Sequence, residues 1–523
     1  MNLSASKRLA AVAIGTAFLC TAQSPGPGMP ASTAARILEQ ATWGPTPASV
    51  QELQTKGFDQ WFKDQVAATM TTYPNQPMLG PTGMAYGTMS GVQVQFFENA
   101  LYNSDQLRQR VAFALSEIWV VSKVSSIGYA EAFPPLLNIF QQDAFAPYST
   151  LMKDVTLNPA MGQYLNMVNN HKATSTSSPN ENYGRELMQL FTIGLNNLNS
   201  DGSTALVSGK AVPTYTPATV TAMSAALTGW TYAATPSGAT GPNYMVAMIP
   251  VPTQHDVSKK VIPFTQPNGS IVNVTLPAGQ SPEIDLEGAL AGLVAQPSMA
   301  PFVVTQLIQH LVTSNPSAAY ISRVVAVFNQ SGGNLQSVVY AILTDQEARE
   351  GDSGVASDLS TFGHLREPVL WIENLLRGLN GSIADSSTIY NYTSGLGQSL
   401  FSQPSVFSYF SPAYRVSTGL LAPEFQLHDT QTVVSRANYT YSLIYGGKLD
   451  AGTTFDISPY VTAATTSPAA LQTAISNQFF HGMMSSTLQT AITNGLTGLT
   501  TPTTKAQAAL YIALTSSEFQ VIH

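Results

Sequence analysis

Thr46-Pro47, Ser178-Pro179, Thr216-Pro217, Asn315-Pro316 and Ser467-Pro468 each put a capping residue directly before a proline. A capping side chain accepts a free N–H of a helix's first turn, and proline at the first helical position has no N–H to leave unsatisfied. Apolar residues at helical spacing follow each pair, so the sequence is punctuated as a series of helix starts. Strong helical periods cover 104–122, 216–232, 297–312, 316–330, 365–379 and 431–446. The spacing predicts a mainly α fold. One stretch departs from it: KKVIPFTQPNGSIVNVTL, from Lys259 to Leu276, reads as two β-rich runs around Asn268-Gly269, a hairpin signal. The expectation is one large multi-helix globular domain over 32–523, with a small β-hairpin insertion at 233–280 and a long ordered aromatic loop at 380–425.

The N-terminus reads as an export signal. Lys7 and Arg8 precede the apolar run Leu9 to Leu19, and Cys20-Thr21-Ala22 offers small residues for cleavage. Residues 1–22 are assigned as the signal peptide and 23–31 as a Pro/Gly tether, which places the protein in the periplasm, at the cell surface or outside the cell. The run is too short to span a bilayer, and no later segment is a transmembrane candidate. Loss of the two leader cations moves the formal net charge from −8 to −10, which argues against nucleic acid as a partner. Cys20 is the single cysteine, so the mature chain is expected to have neither disulfides nor thiolate chemistry, Cys-ligated zinc or c-type haem.

Only 10% of the residues are charged, yet SPNENYGRELMQLFTIGL, Ser178 to Leu195, concentrates two carboxylates and an arginine. Ser178 and Glu181 fit a capping box, and Glu181 stands four residues before Arg185, the favourable order for a helical ion pair. Glu186 lacks such an explanation. It falls at the edge of the apolar face of Tyr183, Leu187, Leu190, Phe191 and Gly194, where a carboxylate is partly buried and needs a partner. That partner is either structural or a ligand in acid/base chemistry.

Blocks along the chain carry a resemblance. ATWGPTPASVQELQTKGFDQWFKDQV, LNPAMGQYLNMVNN, NENYGRELMQLFTIGL, LTGWTY, QHDVSKKVI, LGQSLFSQPSVFSYFSPAY, APEFQLHDTQTVVSRANY and HGMMS resemble, in order, the bacterial domain of unknown function 1800 family. The resemblance implies an exported, mostly α-helical protein, often encoded beside a sulfatase-like partner, with no established activity. Two positions depart from the family pattern as the resemblance gives it: Gln189 stands where RELxELF has a glutamate, and Thr219 where an aspartate precedes the valine.

GxSxG, HExxH, Walker and GxGxxG signatures are absent. His255 and Asp256, followed by Lys259 and Lys260, are candidate ligands for a divalent metal, together with Glu186. Adjacent strand residues point to opposite faces, so the pair needs a turn to converge, and a loop-capping role is the plainer alternative. His428-Asp429 reads as a loop residue and an N-cap. His310, His364 and His481 read individually as core, helix-start and loop residues that could jointly line a cleft. In the aromatic loop, Phe407, Tyr409 and Tyr414 serve either as buried anchors or as a stacking platform for sugars or an apolar polymer. Two functions follow. One is a metal-assisted hydrolase of an extracellular polymer or glycan, with Glu186, Arg185 and His255 as catalytic residues. The other is a non-catalytic surface protein that binds a polymer or assembles with the sulfatase-like partner.

Overall fold

The computed structural model describes residues 24–75, 88–124, 127–353, 362–384 and 386–523. The expected signal peptide lies outside them. The fold is mainly α, 54% helical, and its sheets among the described residues have two or three strands. All six long periods form helices: Gln106–Ile118, Pro217–Ala226, Met299–Leu311, Ala318–Gln330, Pro368–Gly378 and Thr430–Gly446.

Three of the proline-marked starts hold, at Pro47–Lys56, Pro217–Ala226 and Pro468–Phe479. The other two give way to stronger local partners. Asn315 is taken up by Leu421, donating to its carbonyl at 2.8 Å and accepting its N–H at 2.9 Å. The helix therefore starts two residues on, where the Ser317 hydroxyl accepts the Tyr320 N–H at 3.1 Å. At Ser178-Pro179 the expected capping box does not form. Asn170 clamps Asn180, donating to its carbonyl at 3.0 Å and accepting its N–H at 2.8 Å, and the helix opens only at Asn182. It also does not run on as α-helix to Leu195: after Glu186 the backbone widens into a π turn over Leu187–Thr192.

The hairpin forms as the Asn-Gly signal predicts. Lys260–Thr265 pairs antiparallel with Ile271–Leu276, and Gly269 takes φ +83° in the turn. Ile262, Phe264 and Leu276 are buried as the hairpin lies on helices Pro217–Ala226 and Pro282–Val294. The rest of the insertion is largely irregular, apart from the short pair Trp230–Thr231 with Ile249–Pro250. The described residues between 380 and 425 are largely irregular, interrupted by the strand Ser382–Ile383 and the short helix Tyr390–Gly395. Phe401, Tyr409 and Phe410 hold this stretch down.

One contiguous apolar cluster runs from Met29 to Ile522. The described part of the Pro/Gly stretch is not a free tether: Pro25 O accepts the Phe58 N–H at 2.8 Å, Gly28 N–H donates to Gln54 O at 2.7 Å, and Met29 is buried. At the other end Val521–Ile522 pairs antiparallel with His364–Leu365. No single described helix is long and apolar enough to cross a membrane.

Candidate functional site

A cavity of about 390 Å³ opens where the π turn, the helix Met299–Leu311 and the aromatic loop meet. The helix turns Val303, Val304, Leu307, Ile308 and Leu311 into the core and Phe302, Gln306, Gln309 and His310 toward the cavity. Those two sets alternate at the three- and four-residue spacing of a two-faced helix. Gln189 and Leu190 reach the wall from the π turn, a distortion that re-aims side chains and recurs at functional sites. Gly194 is required beside it, because at φ +72° an added Cβ would stand 2.8 Å from the Phe302 ring. The loop supplies Phe407, Ser408 and Phe410.

Glu117 lines the same cavity while only 5% exposed. Its Oε2 accepts the Ser408 hydroxyl at 2.9 Å, a bond set by Ser408's left-handed backbone at φ +68°. Burial, then the neighbouring Glu367 carboxylate, push the Glu117 carboxyl well above the usual range. Glu367 accepts from Gln398 Nε2, and Gln398 Oε1 accepts the Val369 N–H at 2.8 Å. Burial raises Glu367 to about 7 against the opposing pull of Arg110. Arg110, 1% exposed, donates to the His310 carbonyl, while its Nε and Nη1 make no hydrogen bond among the described residues. Burial, Arg110 and His364 lower His310 to about 3, leaving its ring neutral. His364 Nδ1 lies 3.5 Å from Glu424. The cavity therefore has a wall of amides and rings, with one buried carboxyl raised above its usual range in it and a second raised carboxyl behind.

Residues 36–521 match the family described as "Protein of unknown function (DUF1800)". The chain belongs to that family. No curated protein and no solved structure matches it. The two DUF1800 departures have distinct fates. Gln189 is on the cavity wall and accepts the Tyr215 hydroxyl at 2.9 Å. Thr219 is buried away from it in a capping box with Thr216, its hydroxyl donating to the Pro263 carbonyl.

This DUF1800 chain does not assemble the expected set of Glu186, His255 and Asp256. His255 is fully buried: Nδ1–H donates to the Thr228 carbonyl at 2.8 Å, and Nε2 faces Asp285 Oδ2 at 3.0 Å. Lys260 Nζ reaches the same oxygen at 2.7 Å. Asp256 accepts the Ser258 N–H at 2.8 Å in a local turn. His255 thus fastens this stretch to the helix Pro282–Val294, while Asp256 is taken up within its own turn. Among the described residues no three His, Cys, Asp or Glu side chains gather to hold a metal ion.

Glu186 is half-buried beside Tyr164 and Tyr215; burial raises its carboxyl, and its Oε2 is buried without a hydrogen bond. Arg185 pairs with Glu181 at 2.8 Å on a half-exposed surface, as the spacing predicts. Of the aromatic candidates, Phe407 stands at the cavity, 47% exposed. Tyr409 is a buried anchor whose hydroxyl donates to Ser399 O at 2.8 Å, and Tyr414 is half-buried and not part of the wall. Asp429 is the N-cap, accepting the Thr432 N–H at 2.8 Å.

Sequence reasoning missed Glu117, Arg110 and the pairing of Glu117 with Glu367. A signal for the first two existed: in SDQLRQRVAFALSEIWVVS they are seven residues apart, on one side of a helix whose other positions are mostly apolar. Two charges so placed have to be buried together.

Proposed function

We propose that the protein is an exported hydrolase that acts on an uncharged extracellular polymer, with a neutral glycan as the favoured substrate. The observation that carries this reading is Glu117, a buried carboxyl in the wall of an amide- and aromatic-lined cavity, raised above its usual range beside a second raised carboxyl, Glu367. Two neighbouring carboxyls in unlike surroundings can supply an acid and a base. Glu117 donates its proton to the leaving oxygen, a water adds to the other side of the broken bond, and the water's proton returns to the carboxylate pair. Side-chain amides such as Gln189, Gln306 and Gln309 both donate and accept, as hydroxyl-rich ligands require, and Phe302, Phe407 and Phe410 offer apolar faces. The chemistry rests on proton transfer, since His255 and Asp256 are committed elsewhere.

A second reading, a non-catalytic glycan-binding protein, is favoured by the exposure of Phe407 at the cavity. One experiment separates the two. The wild type and Glu117→Gln are assayed for reducing ends released from neutral polysaccharides and, in parallel, for binding to them. Hydrolysis by the wild type that falls roughly 100-fold or more in Glu117→Gln, with binding kept, supports the enzyme. Binding without turnover in both proteins supports the second reading, and neither binding nor turnover refutes both.

A further inference from the structure

Two amides in the wall of the Glu117 cavity have their direction fixed by groups that are not part of its lining. Gln189 Oε1 accepts the Tyr215 hydroxyl at 2.9 Å. Tyr215 is brought there because its neighbour Thr214 is stitched to the end of the π turn: the Thr214 N–H donates to Leu195 O at 3.0 Å, and its hydroxyl donates to Gly194 O. With Oε1 engaged, Gln189 is left with Nε2, which is neither buried nor partnered among the described residues. It presents a donor. Gln309 is set the other way. Its Nε2 donates to Ser314 O at 3.2 Å, just past the end of the helix Met299–Leu311, and its open atom is the acceptor Oε1.

Thr305, on the same helix, is the independent observation. It lines the cavity with a hydroxyl oxygen that is buried and makes no hydrogen bond among the described residues. Leaving such an atom unbonded costs free energy, which a polar ligand group reaching it recovers. Phe302, Phe407 and Phe410 add apolar surface, and the volume of about 390 Å³ lies in the range of small-ligand pockets.

Fixed amides discriminate among ligand groups. A hydroxyl rotates to donate or accept, so it gains nothing from an amide that is locked one way round. An ammonium has donors alone and nothing to give Gln189 Nε2; a carboxylate has acceptors alone and nothing for Gln309 Oε1. A secondary amide separates the two roles, its carbonyl a pure acceptor and its N–H a pure donor. An acetamido group also carries a methyl that suits the phenyl rings. We infer that the cavity selects an N-acetylated amino sugar, its acetamido carbonyl accepting from Gln189 Nε2 and its acetamido N–H donating to Gln309 Oε1. The inference rests on the neutral-glycan reading and names which neutral glycan the site takes. In it Tyr215 is a positioning residue that keeps the Gln189 amide from turning over.

Titration calorimetry with trimers of N-acetylglucosamine, glucose and glucosamine, joined by the same β linkage, tests it, because the three differ in the one substituent the amides read. The N-acetylated trimer is expected to bind roughly tenfold or more tighter than either of the others. Gln189→Glu still accepts from Tyr215 but replaces the donor by a second acceptor, and should erase most of that preference while changing glucose-trimer binding by less than roughly threefold. Tyr215→Phe keeps Gln189 and frees its amide, so the preference should shrink without vanishing. Thermal unfolding checks that both variants are folded, and the wild-type order of affinities stands as a test without them. A glucose or glucosamine trimer that binds as tightly as the N-acetylated one overturns the inference, and the glucose result leaves the neutral-glycan reading in place. A preference that folded Gln189→Glu retains in full also overturns it. Binding of none of the three overturns the inference together with the reading beneath it.

Discussion

Replacing Glu367 by glutamine should flatten the protein's dependence of stability on pH. Glu367 is 3% exposed, and its carboxyl is raised from the ordinary 4.5 to about 7 by burial. Between those values the folded chain keeps a proton that the unfolded chain has lost. Unfolding therefore releases a proton, and stability falls as pH rises through that window and levels off above it. At about 1.4 kcal/mol per pH unit, this one group removes on the order of 2–3 kcal/mol between about pH 5 and about pH 8. Glu117, raised in the same direction, adds to the fall; Glu39, held at about 2, contributes stability lost only as pH drops below 4.5. Glutamine has nearly the same shape, can still accept from Gln398, and has no proton to lose. Urea unfolding of both proteins at several pH values gives the comparison, with m-values checking that the unfolding remains comparable. The variant should match the wild type near pH 5 and be more stable by roughly 2–3 kcal/mol near pH 8. A parallel loss in both proteins would refute the argument. So would a variant already weakened by about 3–5 kcal/mol at pH 5, because that is the cost of breaking an ionised Glu367–Arg110 pair.

Other parts of the fold give equally direct outcomes. Asp285→Asn leaves Lys260 and His255 buried without their shared carboxylate and should cost roughly 3–5 kcal/mol in denaturant unfolding; a near-native midpoint would show that the hairpin has another anchor. Phe407→Ala should change stability by less than about 0.5 kcal/mol, since the ring is largely exposed, yet weaken glycan binding at the cavity by about 1 kcal/mol. Gly363→Ala puts a Cβ 2.0 Å from the Ile522 carbonyl oxygen at φ +100°, and should cost on the order of 3 kcal/mol or more by thermal unfolding. An unperturbed Gly363→Ala protein would mean that the Val521–Ile522 strand is dispensable.

The elements that were legible in the sequence are those decided by neighbours a few residues apart. Period 3.6 located the helices, Asn268-Gly269 the hairpin, Asp429 its cap and Glu181 its pairing with Arg185. The π turn was not legible, because Leu187, Leu190 and Phe191 satisfy an apolar face in either geometry. Nor was the displaced helix start at Asn182, which depends on Asn170 reaching across a loop. The site was the least visible. Glu117 acquires its character from Glu367, and His255 loses its candidacy to Asp285; both pairings are made by folding, not by spacing. The aromatic loop was visible as a group, but only Phe407 and Phe410 face the cavity while Tyr409 is an anchor.

The pairing of the two ends has a consequence for how the protein comes into being. Gln40 Nε2 donates to the His523 carbonyl at 3.3 Å across 483 positions, Arg366 donates to the Phe519 carbonyl, and Arg436 Nη1 to Gln520 Oε1 at 2.7 Å. Until the stretch 519–523 has left the ribosome, these donors lack their acceptors and the strand at His364–Leu365 lacks its mate. A chain that emerges N-terminus first therefore cannot lock its interior early, and its slow step is a contact of very large sequence separation. The strand Val521–Ile522 is thus a latch that closes late in folding.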